Sequence, residues 1–186
     1  GLCLVGSEMC IRDRHWAVHN PLQALKSDVA AISHHTTGHN LQVYSGMITA
    51  LDRSVGRIVD ALDKNGLTEN TLIIITSDNG GASYIELADI NDPYRGWKLT
   101  HFEGGTHIPF MAKWPDQIQA GIEFIPAVHH NDIFQTIAAA GNAKVPMDRI
   151  LDGVDFLPFV NGSKDGILHE TLFWRQGHQQ TVLQEG

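Results

Sequence analysis

The chain has 186 residues, with 42% hydrophobic and only 18% charged, enough for one domain with a real core. Its 21 acidic residues against 13 basic ones give a net charge of −8 with histidine neutral. That balance excludes the basic surface of a nucleic-acid-binding protein, and no apolar run reaches membrane-spanning length.

Residues 1–14 (GLCLVGSEMCIRDR) are too short and too broken for a signal peptide and do not resemble the rest of the chain. They are expected to be non-native and are set aside from fold reasoning. Both cysteines, Cys3 and Cys10, fall in this stretch, and no disulfide framework can be read from them. Residues 15–23 read as the end of a strand running into a loop at Asn20-Pro21. Residues 26–40 are polar and rich in His and Thr, predicting a loop with a short helix. Residues 43–65 carry the clearest helical signal. Met47, Leu51, Val55, Ile58 and Leu62 recur at spacings of three and four, which builds an apolar stripe. Asp60 and Lys64 have i,i+4 spacing, and Asn65-Gly66 is a stop signal.

Residues 71–76 (TLIIIT) are an unbroken apolar and β-branched run that ends in Asp78-Asn79-Gly80-Gly81. The run predicts a fully buried strand of an α/β sheet. Residues 80–109 form a long glycine-rich loop whose aromatics argue against disorder. Strands are predicted over 110–114 and 124–128. A helix capped by Asn131 or Asp132 spans 131–140 and stops at Gly141. A helical turn comes next, over 155–160, then a hairpin over 171–175 and 179–183.

Ligands of open α/β sheets bind beyond the carboxyl ends of strands. A carboxylate beside an amide carbonyl at such a strand end, Asp78 with Asn79, offers hard oxygen ligands for Ca²⁺ or Mg²⁺. Lys98, in the loop run Arg95-Gly-Trp-Lys98, reads as an anion clamp or as a solvated lysine. His19, before Asn20-Pro21, reads as a structural or as a catalytic histidine. His34, His35 and His39 read as a polar loop rather than a metal cluster, because no Cys or carboxylate completes a ligand set. His101 and His107 flank the Lys98 loop.

These pieces are more specific in order than apart. His19-x-Pro21 is followed by Ala50-Leu-Asp-Arg-Ser-Val-Gly56 and then by Ser77-Asp-Asn-Gly-Gly81. Next come Tyr94-Arg-Gly-Trp-Lys98, Phe102-Glu-Gly-Gly105 and Ile108-Pro-Phe110, with Leu151-Asp-Gly-Val-Asp155 and His169-Glu-Thr-Leu-Phe-Trp-Arg175 beyond. From Trp16 to the end this resembles the carboxyl-terminal half of the sulfatase family, in the alkaline-phosphatase-like superfamily, and most closely its arylsulfatase B-like branch.

The resemblance implies an α/β fold: a partial alkaline-phosphatase-like mixed sheet flanked by helices over residues 15–166, with a small antiparallel carboxyl-terminal subdomain beginning at 167–186. It implies that Asp78 and Asn79 bind an active-site Ca²⁺, that Lys98 contacts the sulfate, and that His19 contacts the sulfate and helps the leaving oxygen depart. In the family a formylglycine hydrate, made from Cys or Ser in a Cys/Ser-x-Pro/Ala-x-Arg motif, is the nucleophile. No position here carries that motif: in Cys10-Ile-Arg-Asp-Arg14, Arg12 stands where Pro or Ala is needed. The paired aspartates that complete the Ca²⁺ site are also missing. His107 stands where Arg usually follows Glu-Gly-Gly, and Gln135 where Pro is usual.

The chain is therefore expected to be an inactive and poorly stable fragment of a sulfatase, acting in its full form on a sulfated small molecule or glycan. Export to a periplasmic, extracellular or lysosomal compartment is implied by the resemblance alone. The alternatives are a phosphatase or phosphodiesterase of the same superfamily, which would need extra His and Asp ligands near Asp78, and a non-catalytic glycan-binding relative.

Overall fold

The computed structural model describes residues 2–5, 8–87 and 89–184, with side chains from Ile11 onward. Their order is β1 (Leu2–Val5), β2 (Glu8–Ile11), α1 (Lys26–Ile32), α2 (His39–Lys64), β3 (Ile73–Thr76), α3 (Glu103–Thr106), β4 (Phe110–Lys113), α4 (His130–Ala140), α5 (Leu157–Val160), β5 (Thr171–Gln176) and β6 (Gln179–Gln184). The class is α/β, as expected. Strands pair as β1–β2, β3–β4 and β5–β6. Two compact units result: one of residues 1–12, 69–74 and 111–186, the other of residues 13–68 and 75–110.

In the second unit α2 is the main support. It begins at His39, earlier than the sequence stripe indicates, and it ends where expected. Gly66 takes φ +67, and the Gly66 and Leu67 amides donate to Asp63 and Leu62. That is the paired closure of a glycine-terminated helix. Helix α1 packs on α2 at Gly46, where a Cβ would stand 3.0 Å from Ala24 Cβ and 3.2 Å from Val29 Cγ2. Arg53 then clamps Asp28 through two hydrogen bonds of 2.8 and 2.7 Å. Along the stripe Met47 is buried, Leu51, Val55 and Leu62 are half-buried and Ile58 is exposed. Asp60 and Lys64 make no ion pair, which costs little on an exposed face.

The first unit buries Ile118, Ala138, Phe156, Leu157, Phe159 and Leu168. Asp132 is 0% exposed and fully engaged. It accepts from the amides of His129 (2.7 Å) and Val154 (2.8 Å), and its carboxylate meets His169 Nε2 at 2.9 Å. Gly153 passes close to helix α4, since a Cβ there would collide with the Asn131 carbonyl. Thr136 Oγ1 accepts from the Phe156 amide at 3.1 Å, so helix α4 holds the 152–156 segment by polar as well as apolar contacts. Strands β5 and β6 pair from Thr171↔Gln184 to Gln176↔Gln179, turning through Gly177 at φ +57.

Four expectations need correction. Residues 15–23 contain no strand. The His19 amide closes a turn on the Trp16 carbonyl at 3.0 Å, and Pro21 has no N–H for a ladder. Residues 124–128 are also irregular: Pro126 removes a donor, and Ile125 is left exposed. Strand β3 is half-buried rather than fully buried, because among the described residues its sheet gives it a single neighbour. Helix α4 is capped by His129, not by Asn131 or Asp132. Its Nδ1 accepts from the Asn131 amide, while Asp132 supplies the reciprocal half of a capping box. Residues 2–5 pair antiparallel with residues 8–11, Cys3 opposite Cys10; the cysteine side chains lie outside the described residues.

Candidate functional site

The site residues all lie in the unit made of residues 13–68 and 75–110. Strand β3 delivers the chain to Asp78, whose exposed carboxylate has no hydrogen-bond or ion-pair partner among the described residues. Asn79 is half-buried and spends its amide nitrogen on the Gly80 carbonyl at 2.9 Å. Its Oδ1 remains a free acceptor among the described residues. Two hard oxygens therefore sit on adjacent residues just past a strand end.

The glycines after Asn79 explain how the Lys98 loop closes on this turn. A Cβ at Gly80 would collide with the Gly104 carbonyl, one at Gly104 with the Gly96 carbonyl, and one at Gly105 with the Thr100 carbonyl. The backbones are thus packed against each other with no room for side chains. Their polar groups are paired across the contact. Gly80 N–H donates to the Gly105 carbonyl at 3.0 Å, and Lys98 N–H donates to the Gly81 carbonyl at 3.1 Å.

Asn91 fastens the arrangement. Its Oδ1 accepts from Gly81 N–H at 2.7 Å, and its Nδ2 donates to the carbonyls of Gly81 (3.0 Å) and Gly96 (3.1 Å). Sequence reasoning missed this residue. The available signal was an asparagine between glycine clusters, a side chain suited to mimic backbone in turns.

Held by this loop, Lys98 extends its Nζ to within 3.1 Å of His19 Nε2, across 79 positions of sequence. His19 Nδ1 lies 2.9 Å from the Asn20 carbonyl. A carbonyl can only accept, so the proton sits on Nδ1 and Nε2 offers its lone pair to the Lys98 ammonium. The histidine ring also packs on Trp16, with centroids 5.4 Å apart. The Lys98 ammonium held at this point is a local positive charge in a chain whose net charge is negative.

The structure thus joins His19 to Lys98 through side chains, and Lys98 to the Asp78–Gly81 turn through backbone. His107 does not join them. It stacks on Tyr94 with ring centroids 4.2 Å apart, and its Nδ1 stands 3.8 Å from Glu103. His101 has its Nδ1 buried without a hydrogen-bond partner among the described residues. His34 and His35 stack on each other at 3.9 Å. Among the described residues, no group of three or more His, Cys, Asp or Glu side chains gathers as a metal cluster.

Comparison with known proteins gives a consistent result. The sequence model of the family described as Sulfatase matches residues 11–143. Steryl-sulfatase of Homo sapiens is 37% identical over 162 residues, covering 84% of this chain and 27% of that protein. The uncharacterized sulfatase YdeN of Escherichia coli is 34% identical over 131 residues, covering 70% and 23%. This chain spans about a quarter of the length of the curated relatives it matches. Among solved structures, Ps i-CgsB in complex with k-i-k-neocarrahexaose has a TM-score of 0.79 at 32% identity, covering 89% of this chain and 37% of that one. PsFucS1 sulfatase from Pseudoalteromonas sp. has a TM-score of 0.72 at 26% identity, covering 91% and 33%.

Proposed function

We infer the function from one premise: this chain belongs to the sulfatase family. We propose that it is part of a Ca²⁺-dependent enzyme that hydrolyses sulfate esters of sugars through a formylglycine nucleophile carried outside these residues. The observation that carries the proposal is the 3.1 Å approach of Lys98 Nζ to His19 Nε2, on a loop tied by backbone to the Asp78 turn. The oligosaccharide bound by Ps i-CgsB supports a glycan substrate, and the match to arylsulfatase H of Homo sapiens, at 32% identity, supports an arylsulfatase-like enzyme. Within the family, the order and spacing of the motifs from His19 to Phe110 are read as arylsulfatase B-like.

Asp78 and Asn79 fit a hard cation by donor chemistry. Both present oxygen, and neither oxygen is consumed by a neighbour among the described residues. Because Ca²⁺ takes about six to eight oxygens, further ligands have to come from elsewhere in the protein. When bound, the ion would supply positive charge against the sulfuryl oxygens.

The remaining work falls to side chains of this chain. Lys98 donates to a sulfate oxygen and meets charge that grows as the ester bond breaks. His19, anchored through Nδ1–H to the Asn20 carbonyl, turns Nε2 toward the same space. A proton taken up from solvent at Nε2 can be given to the departing alkoxide oxygen, while Lys98 keeps its charge on the sulfate. The chain alone, without a nucleophile, does not turn over. No helix among the described residues is long and apolar enough to cross a membrane. The family resemblance supports an exported enzyme, in a periplasmic, extracellular or lysosomal location.

The test uses the complete protein, coexpressed with a formylglycine-generating enzyme and assayed on an aryl sulfate with Ca²⁺. Sulfate release is expected, with a loss of about a hundredfold or more for Lys98→Ala or Asp78→Ala. Full release after Lys98→Ala would remove the sulfate-contact assignment. Release of phosphate from an aryl phosphate, with none from the sulfate, would move the reading to a phosphatase of the same superfamily.

A further inference from the structure

Two hollows open in the same unit as the site. The larger, about 530 Å³, has Asn40, Glu86, Asp89 and Ile90 in its wall. The smaller, about 240 Å³, is bounded by Leu22 and Tyr84 and shares Asn40 and Glu86 with the first. The larger volume falls within the roughly 300–1,000 Å³ of ordinary ligand pockets.

We propose that the hollow walled by Asn40 and Glu86, with Tyr84 at its side, is a subsite for a neutral hexose unit of the substrate. This inference rests on the sulfated-glycan reading above and adds which sugar chemistry adjoins the sulfated residue.

Three observations carry it. First, the wall offers acceptors in a fixed pair. Asn40 Nδ2 donates to Glu86 Oε2 at 2.8 Å and to the Ile85 carbonyl at 3.3 Å. Among the described residues, Asn40 Oδ1 and Glu86 Oε1 are then left as adjacent acceptors for hydroxyl donors. Tyr84, in the wall of the smaller, adjoining hollow and 52% exposed, supplies an apolar ring face with a polar tip, the surface on which the C–H side of a sugar ring packs.

Second, Glu86 stands at φ 62, in the left-handed region. That conformation costs a non-glycine residue about 1 kcal/mol or more. Glycine would be at ease here, yet the position holds a carboxylate that helps wall both hollows.

Third, the hollow is tied to the candidate site through Ile90 and its neighbour Asn91. Ile90 packs so closely on Gly81 that a Cβ there would stand 2.8 Å from Ile90 Cγ2. The next residue, Asn91, clamps both Gly81 and the Lys98 loop. Leu22 lies just beyond His19 on the same segment.

Charge sets the class of sugar. Glu86 and Asp89 bring two carboxylates to the wall, against His39 as its one basic side chain among the described residues. A uronate or a second sulfate ester would meet like charge there. A neutral hydroxyl-rich ring would not.

The experiment titrates the complete protein by NMR with three probes in parallel: galactotriose, trigalacturonate and inorganic sulfate. Galactotriose is expected to shift the Asn40, Tyr84 and Glu86 resonances, and trigalacturonate to bind at least about tenfold more weakly. Tyr84→Ala should weaken galactotriose by about tenfold, and Glu86→Gln should bring trigalacturonate to within about threefold of the neutral sugar. Sulfate should shift Lys98 and His19 in every variant. If sulfate binds at Lys98 while galactotriose leaves Asn40, Tyr84 and Glu86 unmoved, the subsite is overturned and the sulfatase reading stands. Equal binding of trigalacturonate and galactotriose by the unaltered chain overturns the charge argument. If galactotriose binds the hollow while sulfate fails at Lys98, the sulfate-contact reading falls instead.

Discussion

Replacing Asn91 with alanine is expected to loosen the loop that carries Lys98 without altering Lys98 itself. The side chain of Asn91 makes three hydrogen bonds, one accepted from Gly81 and two donated to Gly81 and Gly96. A net contribution of about 1 kcal/mol each gives about 3 kcal/mol holding the loop on the turn. At about 1.4 kcal/mol per factor of ten, local opening should become more frequent by on the order of a hundredfold. The assay is amide hydrogen exchange at Lys98, whose N–H is bonded to the Gly81 carbonyl and not to Asn91. Its exchange should accelerate by that factor, while amides in the middle of α2 stay as they were. Asn91→Asp should do no better than alanine, because a carboxylate faces two carbonyls to which it has no proton to give. If Lys98 exchanges within about threefold of the unaltered chain, the clamp is not what orders the loop, and the reasoning from bond count fails.

Phe156→Ala should destabilise the unit that contains it by about 3–5 kcal/mol, since Phe156 is 1% exposed at the centre of its core; a urea titration followed on Trp174 would measure this. Burial pushes the His129 imidazole below its ordinary 6.5, so the unfolded chain takes up the proton first. Stability is therefore full above pH 6.5 and falls as pH drops below it. Protonation also removes the Nδ1 acceptor that caps α4, and His129→Asn, which keeps a capping oxygen, should flatten that slope in urea midpoints. Hydrogen bonds from Arg53 hold the Asp28 carboxyl below its ordinary 3.8. The stability it contributes is present above pH 3.8 and is lost as pH falls through the lowered value. Asp28→Asn should weaken the α1–α2 contact at neutral pH and remove this acid-side loss, both visible by circular dichroism.

Local rules of the chain were readable where one segment settled its own conformation. The apolar spacing of α2, its Asn65-Gly66 stop, the β-branched run at β3 and the Gly177 turn needed no distant partner. Reading failed where a neighbour decides. Residues 15–23 and 124–128 are apolar enough for strands, but no ladder partner among the described residues reaches them, and each carries a proline. The cap of α4 went to His129 because Asp132 is committed to Val154 and His169, contacts that lie far along the chain.

The chemistry divides in the same way. Asp78 and Asn79 could be singled out from sequence because they are adjacent and come directly after a strand. The ordered motifs at His19 and Lys98 carried the family resemblance. Their meeting at 3.1 Å could not be read, nor could the part played by Asn91, because both depend on glycine backbones from three segments packing where a Cβ would not fit. Sequence determined which residue types were on hand and in what order. Tertiary structure decided which polar atoms were consumed by neighbours and which remained free to meet a ligand, since hydrogen-bond partners are a property of position in space.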